Sequence, residues 1–492
     1  MIKKKDLIVV AAVLLLTAVA VEGAGIWLAR VNAPIAYDEE AAYVETLEAT
    51  NVTENSATLN GELVHLRGYE DVDLYFEYRE EGDENGWTVV DSNDDASEST
   101  EFSEEVTDLT EETAYEYRAV VEDEEVLDHG LIIGFITLEP AGDGSEEDPY
   151  AISDWYELYA IRNEMDAYYE LTDDIDENSD GYEELVGADE GWHPIGTQTV
   201  RFAGSFDGQG YEIRDLYINR PEENNQGIFA HAGHNTEETI IRNVCVIDAQ
   251  VTGARGVGTL LGRVTGNANT LIEKNCAVDG EVKGTGAVGG LIGSFNSWRE
   301  TPGGEDNPLL SQSFADVDVN DHDLVTGNYD KFGGLVGCSQ KGSIKNSYAL
   351  GPVTVEDAGE KIGGLAGCVD FRGIIENTYS TGEVTAGNSE RVGALIGDVE
   401  GRGGNAGRII YSYSNEETSS QTELVGEVGD GDVTGGMRTT EEMTWEYSDD
   451  PDVYEEWDMA EDGSEIWLSG DHDLVEDREE NSGYPALQWQ DE

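Results

Sequence analysis

Positive charge is the scarcest commodity in this chain. Only 27 of the 492 residues are Lys or Arg, against 106 Asp and Glu, leaving a formal net charge of -79. Nucleic acid is disfavoured as a partner, because phosphate contacts need clustered Lys and Arg. Proline is also rare, at 10, whereas glycine reaches 59. With apolar and aromatic residues plentiful, that balance argues against a collagen-like or disordered chain and for a β-rich, turn-dense one. The seven His (65, 129, 193, 231, 234, 322 and 472) never fall into His-Glu-x-x-His, so a zinc-peptidase helix is absent. His231 and His234 read as loop residues rather than metal ligands. No nucleophile elbow, phosphate loop or dinucleotide fingerprint occurs in a strand-to-helix context. The chain is not expected to be an enzyme.

What is abundant is acid, spread through every region after residue 37. Such self-repulsion penalises compaction at low ionic strength. At ~1 M salt the Debye length shrinks to ~3 Å and the same surface becomes a soluble, hydrated shell. The scatter therefore reads as adaptation to high salt, whereas an acidic tail or cation sponge would concentrate its charge in blocks.

The amino terminus differs from the rest. Lys3, Lys4 and Lys5 precede an apolar run from Leu7 to Ala29, interrupted by Glu22 and closed by Arg30. Residues 1–35 read as a membrane anchor or export signal, with the positive start held in the cytoplasm and the remainder outside. Left uncut, the run crosses the ~30 Å hydrocarbon core at ~1.5 Å per residue. Cleavage near Ala18–Ala20 or Gly23–Ala24 would instead release the protein.

From residue 36 to 140, short alternating runs such as SATLNGEL (56–63), VDLYFEYRE (72–80) and AYEYRAVVE (114–122) have the period of half-buried antiparallel strands. This stretch resembles a fibronectin type III module, with Leu109 and Tyr115 placed like that family's tyrosine corner. The resemblance implies a two-sheet sandwich serving as a spacer. Asn51, in Asn-Val-Thr, is the glycosylation acceptor pattern.

Beyond a turn-rich stretch, GDGSEEDPYAIS (142–153), one short pattern recurs: VGTLLG (257–262), VGGLIG (288–293), FGGLVG (332–337), IGGLAG (362–367) and VGALIG (392–397), preceded by a degenerate GIFAHAG (227–233). The starts of the five are 31, 44, 30 and 30 residues apart, with an insertion around Trp298–Asn307. A fixed period of this length argues for a solenoid with one coil per repeat. Gly258, Gly262, Gly289, Gly293, Gly333, Gly337, Gly363, Gly367, Gly393 and Gly397 then permit tight turns and close coil-to-coil approach. Asn243, Asn275, Asn346 and Asn377 read as one phase of the repeat, either an amide ladder along the axis or plain turn residues.

These copies resemble the GLUG motif, a Gly-Leu-x-Gly repeat of surface proteins that include immunoglobulin-A-cleaving metallopeptidases, here in a salt-adapted form. DPYAISDWYELYAI, RFAGSFDGQGYEIRDLYI and GYPALQW (483–489) resemble its flanks. The resemblance implies an all-β chain with a right-handed parallel β-helix: entry and first coil at 141–226, repeats at 227–415, closing coils and cap at 416–492. In such a stack Cys338 and Cys368, and Cys245 and Cys276, one period apart, lie on adjacent coils at ~4.8 Å. They form disulfides or stacked free thiols.

Asp174, Asp176, Asn178 and Asp180 offer oxygens at every second position and form a calcium candidate, calcium being the one cofactor considered. Trp298 is the candidate ligand platform. The expected function is a non-enzymatic cell-surface protein for adhesion or envelope architecture, bound to surface glycans or other surface proteins and to the membrane through its amino-terminal helix. The alternative is a polysaccharide-active β-helix enzyme or carbohydrate-binding protein.

Overall fold

A computed structural model describes residues 42–491 apart from internal stretches, the longest being 298–307, 323–329, 445–453, 458–465 and 469–483. The amino-terminal run and Trp298 lie outside the described residues. Among the described residues, no helix is long and apolar enough to cross a membrane.

Eight strands build the first unit: β1 (Tyr43–Thr50), β2 (Ser56–His65), β3 (Val72–Glu80), β4 (Thr88–Ala96), β5 (Thr100–Thr107), β6 (Ala114–Asp123), β7 (Glu125–His129) and β8 (Ile133–Ile136). β1, β2 and β5 form one antiparallel sheet, while β4, β3, β6 and β7, with β8 on β6, form another. The alternation along β2 puts Ala57, Leu59 and Leu63 inward, against Leu74, Phe76 and Tyr117 of the other sheet. Phe76 stacks on Phe102 at 4.8 Å across the core. Tyr115 accepts a hydrogen bond through its hydroxyl from the Thr110 amide at 3.0 Å, pinning the turn before β6.

The second unit begins without a free linker. Tyr150–Ile152 pairs in parallel with Tyr168–Leu171, and the Tyr168 amide donates to Gly144 O at 2.9 Å, so the turn-rich stretch at 142–153 is tied into the first coil. Helix α1 (Trp155–Ala160) is capped by Asp154, whose carboxylate accepts from Glu157 N. Ile136, the end of β8, is already buried in the solenoid core. Asn163 fastens the junction, accepting from Ile136 N at 3.1 Å and donating to Ile136 O at 2.9 Å.

From there the coils repeat one path, and their stacked strands pair in parallel. A seven-stranded sheet stacks Phe229–Ala232, Leu261–Gly266, Ile292–Ser297, Val336–Gln340, Ala366–Asp370, Ile396–Glu400 and Val425–Val428. A four-stranded sheet stacks Ala287–Gly289, Lys331–Gly333, Lys361–Gly363 and Arg391–Gly393. Inside, like sits on like: Leu260, Leu291, Leu335, Leu365 and Leu395 are all fully buried, as are Ile272, Leu310, Ile344, Ile375 and Ile409. Burying columns of aliphatic side chains is the driving force that a single coil lacks.

The repeat glycines answer a steric demand rather than a turn requirement. None of the ten has a positive φ. A Cβ on Gly367 would stand 2.6 Å from both Gly337 O and Phe332 N, and one on Gly397 2.4 Å from Ile362 N. The four-stranded sheet lies directly over the backbone of the seven-stranded one, and only hydrogen fits between them.

The true bends lie elsewhere. Asn243, Lys274, Gln312, Asn346, Asn377 and Tyr411 all have φ between 47° and 57° and occupy one phase, two residues before Cys245, Cys276, Phe314, Tyr348, Tyr379 and Tyr413. Asn275 sits one position later, fully buried, bonding Val244 N at 3.2 Å and Ile241 O at 3.0 Å. The four Asn therefore do not form one column. Asn377 reaches Asn346 at 3.3 Å, but the more extended ladder is of hydroxyls, in two runs: Ser313 accepts from Asn275 N and Ser347 from Ser313 N, and Ser412 accepts from Thr378 N, at 3.2–3.3 Å. Each hydroxyl satisfies an amide that the bend withdraws from the strand ladder.

Candidate functional site

Three features stand out from the regular stack. The first is a charged flank. Two residues before Gly333, Gly363 and Gly393 stand Lys331, Lys361 and Arg391, in three successive coils and stacked in register. Facing them, Gln340, Asp370 and Glu400 form one column and Cys338, Cys368, Asp398 and Glu427 another. Lys361 Nζ lies 2.8 Å from Asp398 and 3.1 Å from Glu400, with the Lys361 and Asp398 side chains only 5% and 1% exposed. Arg391 closes the network, at 3.4 Å from both carboxylates.

Burial and charge set the proton affinities here. Asp398 and Glu400 titrate as a pair whose upper step burial holds at about 6. Asp370 is raised by burial, with Lys361 opposing. Burial also pushes Asp330, at the head of the flank, up to about 7. Lys361 is raised because Asp370, Asp398 and Glu400 outweigh its desolvation. Asp370, Asp398 and Glu400 bring carboxylate oxygens within 4.8 Å of one another, but the Lys361 ammonium already sits against two of them.

Beside this flank, Cys338 and Cys368 are joined in a disulfide with Cα atoms 4.7 Å apart, and Cys245 and Cys276 in another at 4.4 Å. Both bridges link adjacent coils.

The second feature is an aromatic column outside the barrel of coils. Phe314, Tyr348 and Tyr379 stack nearly parallel, at 4.9 and 4.8 Å. The carboxy-terminal segment folds back to cover them: Trp467 packs on Tyr348 and Tyr379, Tyr379 donates to Pro485 O at 2.8 Å, and Trp489 Nε1 donates to Gln312 O at 2.9 Å. Trp467 is fully buried. The coils continue through Val425–Val428 and Asp432–Arg438, and Trp467 with Tyr484–Trp489 lies beyond them as a strap along the side, bonded to residues as far as 177 positions away.

The third is a cleft of about 840 Å³ between the first unit and the solenoid, lined by residues including Leu47, Glu48, Phe102, Met165, Asp166, Arg201 and His234. Glu48 is pushed up to about 7 by its burial and by Asp166 and Glu164. Nearby, Arg162 is buried over the Tyr159 ring at 3.7 Å.

Two of the calcium candidates hold backbone amides. Asp174 accepts from Glu212 N at 2.9 Å, and Asp176 accepts from Asn178 N at 2.7 Å. Asp174, Asp176 and Asp180 do not gather into one ligand set among the described residues. Asn51 is exposed at the end of β1, with its amide on Thr58 at 3.3 Å. His231 is buried with Nε2 on Thr265 Oγ1, inside the seven-stranded sheet rather than in a loop.

No protein-family model matches the chain. A protein of Evansella cellulosilytica, named provisionally as a Gly-rich membrane protein, is 28% identical over 57% of this chain and 40% of its own length. Halomucin of Haloquadratum walsbyi is 34% identical over 27% of this chain and 2% of its own length. The matched region thus spans less than half of either curated relative. A solved chain from Bacteroides ovatus, named provisionally as an immunoglobulin A1 protease, aligns with a TM-score of 0.46 and 18% identity, covering 71% of this chain and 94% of its own.

The basic column and the aromatic column are both readable in the sequence once the repeats are aligned, as Lys331, Lys361 and Arg391 two residues before Gly333, Gly363 and Gly393 and as Phe314, Tyr348, Tyr379 and Tyr413 after each bend. The cleft is not, because its walls come from distant segments.

Proposed function

We propose that this is a surface or membrane-associated architectural protein whose solenoid acts as a stiff, salt-tolerant rod for adhesion or envelope assembly, without catalysis. The observation that carries the reading is the unbroken parallel register from Phe229 to Val428. Six steps of ~4.8 Å make a rod ~29 Å long with repetitive faces. Two relatives named as a membrane protein and as Halomucin support an outward location. The net charge supports a high-salt setting. The two antiparallel sheets and the Tyr115 hydrogen bond favour a fibronectin type III-like spacer, and the repeats favour the GLUG assignment, both as our own reading. An amino-terminal anchor and glycosylation at Asn51 complete the proposal.

The test is binding of the purified chain, in molar salt, to glycan arrays and whole cells. Saturable binding without new reducing ends supports the reading. A second reading, a polysaccharide-cleaving enzyme, is favoured by one observation: Glu48, held up to about 7 beside Asp166 in a large cleft, has the environment of a general acid. Release of reducing ends that disappears in Glu48→Gln would favour it instead.

A further inference from the structure

The outer column that ends acidic at Asp398 and Glu427 begins basic, at His231 and Arg263, which are direct neighbours in register. Arg201 reaches the same place from the loop before Phe202. Its Nη1 donates to Thr265 O at 3.4 Å and its Nε to Gln198 O at 3.1 Å, while His231 Nε2 is hydrogen-bonded to Thr265 Oγ1. Arg201 and His231 therefore meet at one threonine, with Arg263 beside His231 on the neighbouring strand.

What is missing there is acid. Arg79, Arg118, Arg214, Arg220, Arg242 and Arg391 each pair with a carboxylate. Arg201 and Arg263 form no ion pair among the described residues, and each is partly buried. Arg263 Nε and His231 Nδ1 are buried with no hydrogen-bond partner, and His231 is only 2% exposed. In a chain with four acids for every base, two neighbouring guanidiniums without a counter-ion repel each other at a cost that an anion would remove. Arg201 also lines the cleft of about 840 Å³ against the first unit, beside Gly233 and His234, which leaves room for a polymer carrying that anion.

We propose that Arg201, Arg263 and the His231–Thr265 pair form an oxyanion site that binds sulfate, free or as a sulfate ester on a polysaccharide seated in the cleft. Guanidinium donors match the oxygens of an oxyanion, and two forks approaching from different elements suit a group with more than two of them. His231 is held neutral at pH 7, mainly by burial and then by the two arginines, so one ring nitrogen is left to donate a hydrogen bond. Molar salt screens the repulsion of the distant carboxylates beyond ~3 Å, while contact pairs persist. The site stands whether or not the protein is a surface scaffold.

Calorimetric titration of the full chain in ~1 M KCl tests it with three probes: sodium sulfate, dextran sulfate and unsulfated dextran. Saturable binding of sulfate or dextran sulfate, no binding of dextran, and about tenfold or greater weakening in Arg201→Gln and Arg263→Gln uphold the site. Binding of sulfate alone assigns it to the free ion; tighter binding of dextran sulfate assigns it to the polymer. Arg201 lies on a surface loop, so Arg201→Gln reports even where Arg263→Gln fails to fold. No saturable binding of either sulfated probe, equal binding of dextran, or binding that survives both substitutions overturns the proposal.

Discussion

Replacing Lys361 by Met should cost far more than removing a surface lysine. The ammonium lies 2.8 Å from Asp398, and the two side chains are 5% and 1% exposed, so solvent cannot compensate for its loss. Stranding one partner of a buried pair typically costs about 3–5 kcal/mol. Arg391 remains within 3.4 Å of Asp398 and is 24% exposed, which places the expectation near the lower end, at about 3 kcal/mol. The deficit should depend on pH. Without Lys361, the folded-state affinity of Asp398 for a proton rises further above its unfolded value of ~3.9. A carboxyl raised in the fold loses stability as pH rises through that window, so the deficit should be largest at pH 8 and shrink towards pH 5. The wild-type contribution of Lys361 itself, whose affinity is raised, is lost only above the ordinary lysine range. Urea unfolding in molar KCl at both pH values, followed by tryptophan fluorescence, measures this. The double substitution Lys361→Met with Asp398→Leu should recover stability to within about 1 kcal/mol. A single variant that loses less than about 1 kcal/mol at pH 8, the range of exposed pairs, would refute the reasoning.

Gly367→Ala drives a Cβ to 2.6 Å from two backbone atoms of neighbouring strands and should lower stability by about 2–3 kcal/mol in a thermal melt, while Ala in place of the exposed Thr385 should not. Trp467→Ala, at a fully buried side chain, should cost about 3–5 kcal/mol and release the carboxy-terminal strap to limited proteolysis; an unchanged digestion pattern would contradict its packing on Tyr348 and Tyr379. Glu48 and Asp330 at about 7 and Asp154 at about 6, all raised chiefly by burial, bind protons more tightly in the fold than when unfolded, so the urea midpoint should rise as pH falls from 8 to 5; a midpoint that falls would contradict those burials.

Much of the solenoid was legible because its period is carried by side chains whose reason is local. Val, Leu and Ile recur where the core must be filled, and glycine recurs where the overlying strand leaves no room for a Cβ. The sequence suggests both tight turns and close coil-to-coil approach as the roles of these glycines; their surroundings are of the second kind, and the left-handed bends fall to Asn243, Asn346, Asn377 and their equivalents. Lys274, Gln312 and Tyr411 hide the bend because, unlike Asn, they are residue types that seldom adopt a left-handed backbone, which is why Asn275, one residue on, reads as a member of the column. The strap was not legible for a different reason. Its Trp and Tyr residues carry no periodic signal, and their hydrogen-bond partners lie as far as 177 residues away. The cleft shares that difficulty, since Glu48 and Arg201, on its walls, lie far apart in the sequence.

The claim beneath all of this is that successive coils stack in parallel, residue upon equivalent residue. Thr354 and Thr385 are register partners on adjacent coils, outside the described core. Thr354→Cys with Thr385→Cys, oxidised and mapped by mass spectrometry of non-reduced peptides, should yield a cross-link between these two positions, and Thr354→Cys with Glu376→Cys should not. The reverse outcome, or cross-linking of neither pair under conditions that leave the native bridges intact, would contradict the account.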